Sequence, residues 1–341
     1  MREQIRPIGG NYLTKLVSEF RMRKSHARLL VLILLLMQPG VGCAPLKSRF
    51  PLASRSIPVD QVYRSERLTD GQPQFQRGEP RPIIDGIGWV VGIPGKILLW
   101  DRRVDNHRIS PETEYMLSEY LARNGMKDVR VRLNQYRPME DWRRLAKNDA
   151  VGAPWRFTFG ALSVLGETIL PGRIFGGDHY NAYTDTIHIY SDIPSIAIHE
   201  GGHAKDFARR KWKGTYAAAY TLPVVPLYHE SLASSDAIAY LEAFGTPAQQ
   251  AEAARILYPS YGTYVGSAAG TFAPAIGGPL YYGSLLAGHA AGRYQARQLL
   301  SQSNSSVRYE LTSAPIDYSR TSTDQSRDPF QVAHPSFGLI E

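Results

Sequence analysis

His199-Glu200-Gly201-Gly202-His203 sets two imidazoles four residues apart with a carboxylate beside the first. On an α-helix, positions i and i+4 lie one above the other, so both rings can grip a single metal ion. Glu200 projects to the side, where it can take a proton from a water bound to that ion. This spacing serves hydrolysis by metal-activated water, with one Zn2+ ion per chain as the cofactor.

A catalytic zinc has three protein ligands and an open water position, so a third donor must come from elsewhere. Asp206 shares the helix face of His199. It lies about 4.5 Å beyond His203 along the axis, however, and suits the orienting of His203 better than metal ligation. A histidine of the metzincin type is excluded, because the positions for its Gly and His hold Asp206 and Arg209. Glu230 is the leading candidate, with His229, Asp206 or a more distant residue as alternatives. It opens Glu230-Ser231-Leu232-Ala233-Ser234-Ser235-Asp236-Ala237, a helix expected to run to Phe244, after Pro223 and Pro226 have broken the chain.

These residues resemble the gluzincin branch of the zincin metallopeptidases, where a glutamate on a downstream helix is followed three positions on by a small residue, here Ala233. The resemblance covers about residues 110–245. It implies a peptidase with His199, His203 and Glu230 on zinc and Glu200 as general base. One position departs: the Asp or Asn that usually follows the ligand by four residues is Ser234. Asp236 lies about 240° round the helix from Glu230 and cannot take its place. His179, His188, His289, Tyr190 and Tyr228 are the residues from which an oxyanion donor would come.

The fold class expected is α+β: a zincin-like core with a small mixed sheet on the motif helix, a downstream Glu-bearing helix and a Gly/Ala-rich helical C-terminal part. Ile97-Leu98-Leu99-Trp100 reads as a buried strand. Ser110-Pro111-Glu112 reads as an N-cap, first-turn proline and first-turn acid of a helix ending near Asn124-Gly125. Val129, Val131 and Leu133 alternate with Arg130, Arg132 and Asn134, the pattern of a half-exposed strand. Asp185 to Ser191 reads as a strand before the motif helix, with Ile187, Ile189 and Tyr190 as the candidate edge for an extended substrate. No formal charge occurs between Arg255 and Arg293, and that stretch is expected to form closely packed helices with small-residue faces.

The chain has 341 residues, 43% hydrophobic and 21% charged, with a formal charge of +8 that suits an anionic neighbour. No aromatic-interleaved basic stripe or nucleic-acid motif is present, so nucleic acid is not an expected partner. Basic residues before the apolar run Leu29–Met37, then Pro39-Gly40-Val41-Gly42-Cys43, resemble a bacterial lipoprotein signal, with Met22 as a sensible start and Cys43 as the lipidated residue. Gly40 stands where that family usually has Leu. The expected organisation is a signal over 1–43, a tether over 44–82, a catalytic domain over 83–300 and a flexible tail over 301–341. The resemblance implies a lipid-anchored, periplasm-facing envelope protein acting on peptide or protein substrates. Ala44 lacks the Asp of inner-membrane retention, which favours the outer membrane. A non-catalytic metal-binding envelope protein and a peptidoglycan crosslink hydrolase are the alternatives.

Overall fold

The computed structural model describes residues 73–313, so the signal segment, Cys43 and most of the tether lie outside the described residues. The fold is α+β, with four short strands and a mostly helical remainder. Strand β1 (Phe75–Arg77) is followed by α1 (Pro82–Val91), α2 (Ile93–Leu99) and α3 (Pro111–Arg123) before β2 (Arg130–Leu133). Then come α4 (Pro138–Lys147), α5 (Ala161–Ile169), α6 (Gly172–Phe175), β3 (His179–Asn181) and β4 (Thr186–Ile189). The C-terminal half is helical: α7 (Pro194–Ala208), α8 (Lys213–Ala219), α9 (Val225–Phe244), α10 (Pro247–Phe272) and α11 (Gly277–Ser313).

The sheet order is β1-β2-β4-β3, parallel except for β3, which runs antiparallel to β4. Val131 and Leu133 register with Ile187 and Ile189. Their side chains join Leu117 and Tyr120 of α3 and Ile198 of α7 in the main core. Helix α3 begins as its residues dictate, with Ser110 accepting from the Thr113 amide and Pro111 at its first position.

Several expectations change in three dimensions. Strand β2 is buried on both faces, because α4 covers the side that carries Arg130 and Arg132. There Arg132 pairs with Asp141 of α4 at 2.8 Å, which lets a guanidinium sit inside the fold. Ile97–Trp100 is not a strand: Gly92 and Pro94 start helix α2, which turns Ile97 outward while Leu99 packs against the core. Strand β1 lies within the stretch read as tether, drawn into order by pairing with β2. Helix α11 passes residue 301 and runs to Ser313, since no Gly or Pro interrupts 293–313.

The charge-free stretch forms α10 and α11, packed side by side as their composition implied. A Cβ on Gly292 would stand 2.2 Å from the Ala254 carbonyl oxygen, so only glycine allows this approach. Among the described residues no single helix is long and apolar enough to cross a membrane.

Candidate metal centre

Helix α7 starts at Pro194, directly after β4, and every side chain from Ala197 to Phe207 is buried. Such a helix is central to the fold rather than amphipathic, and its two histidines face α9 inside the protein. The two glycines of the motif make room for neighbours. A Cβ on Gly202 would lie 3.0 Å from the Ala233 Cα, and one on Gly201 2.6 Å from the Tyr120 ring. Helices α7 and α9 therefore approach closely at the motif itself, which brings Glu230 alongside the histidines.

Nε2 of His199 and Nε2 of His203 are 3.1 Å apart; Glu230 Oε2 is 3.1 Å from the first and Oε1 is 3.4 Å from the second. Four ligands at about 2.1 Å around a tetrahedral ion stand about 3.4 Å from one another, so the two imidazole nitrogens and the Glu230 carboxylate lie close enough together to share one ion. Their rings meet at 86°, an arrangement that lets both lone pairs converge on one point. All three residues are buried. The structure thus holds a His-His-Glu triad able to bind a metal ion, and zinc fits its donor set.

Among themselves the three side chains form an ion-paired cluster. Burial disfavours a charge on His203, but Glu230 outweighs it and raises the imidazole to about 9. Burial likewise would raise Glu230, yet His203 and His199 hold it well below the carboxylate range. An ion held here would displace a proton from this cluster. Glu200 lines the same cavity of about 280 Å³ as His203 and Glu230. Its pKa is raised, because burial outweighs the pull of the two histidines, and a raised carboxylate is a stronger base.

Ser234 meets His199 all the same: its hydroxyl stands 3.1 Å from His199 Nδ1. Asp236 is occupied elsewhere, accepting from Lys205 at 2.8 Å and from the Tyr120 hydroxyl at 2.5 Å. Asp206 turns to Arg210 and Tyr216, each at 2.5 Å, and acts on His203 through its charge. His229 packs on the Tyr216 ring at 4.2 Å, and burial lowers its pKa to about 4. Of the candidates weighed in the sequence, Glu230 is the one that joins the two histidines.

The strand expectation needs correction. Strand β4, with Ile187 and Ile189, is paired on both sides by β2 and β3 and has no open edge for a substrate. Tyr190 is buried and lines a separate cavity of about 60 Å³. The edge that borders the metal cavity is β3, through His179, Tyr180 and Asn181. Pairing decides which strand is an edge, and pairing is non-local.

Two tyrosines carry no local signal in the sequence. Tyr220 donates its hydroxyl to Glu230 Oε1, Tyr264 also hydrogen-bonds Glu230, and both line the cavity. Among the oxyanion candidates His179 lines the cavity, Tyr228 is exposed, and His289 stacks on Trp100.

A second cluster, Glu167, His179 and His188, sits beside the first. His179 Nε2 is 3.1 Å from Glu167 Oε1, and its Nδ1 is 2.9 Å from the Gly177 carbonyl oxygen. The His179 and His188 rings stack with only 9° between their planes. An imidazole lone pair lies in the ring plane, so two parallel stacked rings have no common point at which to hold an ion. This cluster is an ion pair on the cavity wall, with a neutral His188 behind it. Burial opposes charge on both partners, but their mutual bond prevails: His179 is raised to about 9 and Glu167 lowered to about 2.

Comparison of the chain with protein-family models, with curated proteins and with solved structures finds no match.

Proposed function

We propose that this protein is a zinc-dependent hydrolase that cleaves peptide bonds, acting as a lipid-anchored protein of the bacterial envelope. The observation that carries the hydrolase reading is the buried triad of His199, His203 and Glu230, close enough together to share one ion, with Glu200 on the wall of the same cavity. Zinc held by these three residues would supply an acidified water and a Lewis acid for the scissile carbonyl. Glu200 accepts the proton of the attacking water and returns it to the leaving amine. Tyr220, Tyr264 and His179 line the cavity: the two tyrosines hold Glu230 by hydrogen bonds, and the charged ring of His179, itself bonded to Glu167 and the Gly177 carbonyl, adds positive potential where negative charge would develop on the substrate oxygen. Peptide as substrate is supported by β3, the terminal strand of the sheet among the described residues, which lines the cavity beside the triad and could pair with an extended chain. The envelope reading rests on the segment around Cys43.

Zinc content and hydrolysis of a fluorogenic peptide mixture test the proposal together. Wild type and Glu200→Gln are expected to hold one zinc each, with hydrolysis about 10²–10⁴-fold lower in the variant. His199→Ala is expected to lose both metal and activity, and Glu230→Gln to bind zinc weakly. Full zinc retention in Glu230→Gln would remove that residue from the site. Undiminished hydrolysis by Glu200→Gln would sink the mechanism.

A further inference from the structure

The stretch from Pro82 to Trp100 contains two charged residues, and both turn inward. Asp85 pairs with Arg173 at 2.7 Å, and Lys96 Nζ donates to the carbonyls of Trp89 and Asp105. What faces solvent is apolar: Ile83 is 80% exposed and Ile97 65%, with Ile87, Trp89, Val90, Val91 and Trp100 also exposed. Helices α1 and α2 together have the composition of a membrane segment, but they bend by 49° at Gly92. Their inner sides pack on α6 and α10. A bent, half-packed pair of this kind is built to lie in a membrane surface rather than to cross it.

Beside this ridge, a cavity of about 430 Å³ is lined by Arg77, Arg81, Arg137 and Arg173, with Ile84 of α1 among its apolar walls. Glu79 is the acidic residue on its wall. Arg77 and Arg173 are neutralised by Glu114 and Asp85. Arg81 and Arg137 are exposed and have no ion-pair partner among the described residues. An apolar ridge next to unneutralised guanidinium groups complements a phospholipid surface: acyl chains take the ridge, and a phosphate takes the forked donors.

We infer that the α1–α2 ridge seats on a bilayer surface rich in anionic phospholipid, and that the arginine-lined cavity beside it takes a lipid headgroup phosphate. The inference is independent of the peptidase reading. It would fix the orientation of the folded part on the bilayer surface.

The test uses the full-length chain with vesicles whose acyl chains carry bromine, a short-range quencher of tryptophan. Anchoring by the N-terminal segment does not by itself bring the folded part into the acyl region, so quenching reports docking. Anionic phosphatidylglycerol vesicles should quench, and Trp89→Phe with Trp100→Phe should remove most of that quenching. Ile83→Ser with Ile97→Ser should cut the quenched fraction severalfold. Because these side chains are exposed, circular dichroism should stay that of wild type. Arg81→Glu with Arg137→Glu should abolish the preference for phosphatidylglycerol over phosphatidylcholine. Quenching that survives loss of both tryptophans, or that ignores the isoleucine changes, overturns the docking face. Equal quenching by both lipids in wild type overturns the headgroup site. Absent quenching, together with a detergent-solubilised dimer that the isoleucine changes dissociate, would show that a second copy covers the ridge.

Discussion

Replacing Asp236 by leucine tests how the metal centre is held in register. Lys205 lies on α7 two residues past His203, and Asp236 on α9 six residues past Glu230; their charges meet at 2.8 Å with side chains 5% and 1% exposed. Tyr120 of α3 donates to the second carboxylate oxygen at 2.5 Å, so one carboxylate ties three helices together. Asp236→Leu leaves a buried ammonium without this anion and a buried hydroxyl without this acceptor. Breaking a buried pair in this way costs about 3–5 kcal/mol. Set against a domain stability of about 5–15 kcal/mol, that is a large share, and it lowers Tm by about 6–20 °C. The remedy follows from the same physics. Lys205→Met added to Asp236→Leu removes the charge that has lost this anion, and Tyr120→Phe added to both removes the hydroxyl that has lost this acceptor, a loss that by itself costs about 1–3 kcal/mol. Urea unfolding should therefore rank the single variant least stable, the double higher and the triple closest to wild type. Zinc affinity should follow the same order, because α7 and α9 carry the ligands. A cost below about 1 kcal/mol for Asp236→Leu, or costs that simply add, would refute this account of the buried pair.

Gly202→Ala should cost about 1–3 kcal/mol and weaken zinc binding, read by thermal melting and zinc titration, because the new Cβ meets the α9 backbone at Ala233. Ser234→Ala should lower zinc affinity about 10–100-fold while Tm hardly moves, since it releases the far side of the His199 ring. The Glu167–His179 pair predicts a pH window. Its carboxylate, held at about 2, contributes stability above the unfolded carboxylate range and loses it as pH falls through about 2. Its imidazole, raised to about 9, contributes below the unfolded histidine value and loses it as pH rises through about 9. Glu167→Gln should thus lose most stability relative to wild type near pH 5–6 and converge with it above about pH 9, as measured by urea unfolding across pH. In NMR titration the His179 resonance should move down towards the ordinary histidine range in that variant.

The pairing of His199 with His203 was legible because it is local. A four-residue spacing and the 3.6-residue turn place both rings on one face whatever surrounds them. The same holds for the start of α3, where Ser110 and Pro111 act within one turn. The two glycines at 201 and 202 announced a close neighbour, since a buried helix has no other reason to carry them. They did not say that the neighbours were Tyr120 and Ala233.

What the tertiary structure decided was every question whose answer lies on another element. Glu230, His229 and Asp206 were all acceptable donors by type; the crossing of α7 over α9 selects the first, seats the second among aromatic rings and gives the third to Arg210 and Tyr216. Ser234 looked like a missing partner until the fold put it against His199. Strand β4 has the apolar alternation of an edge or an interior strand alike, and only its pairing with β2 and β3 makes it interior. The alternation in β2 suggested one wet face, yet α4 covers that face and supplies Asp141 to the arginine there. Periodicity along a chain records which side chains share a direction; what waits in that direction is set by contacts between residues distant in sequence, and those exist only once the chain is folded.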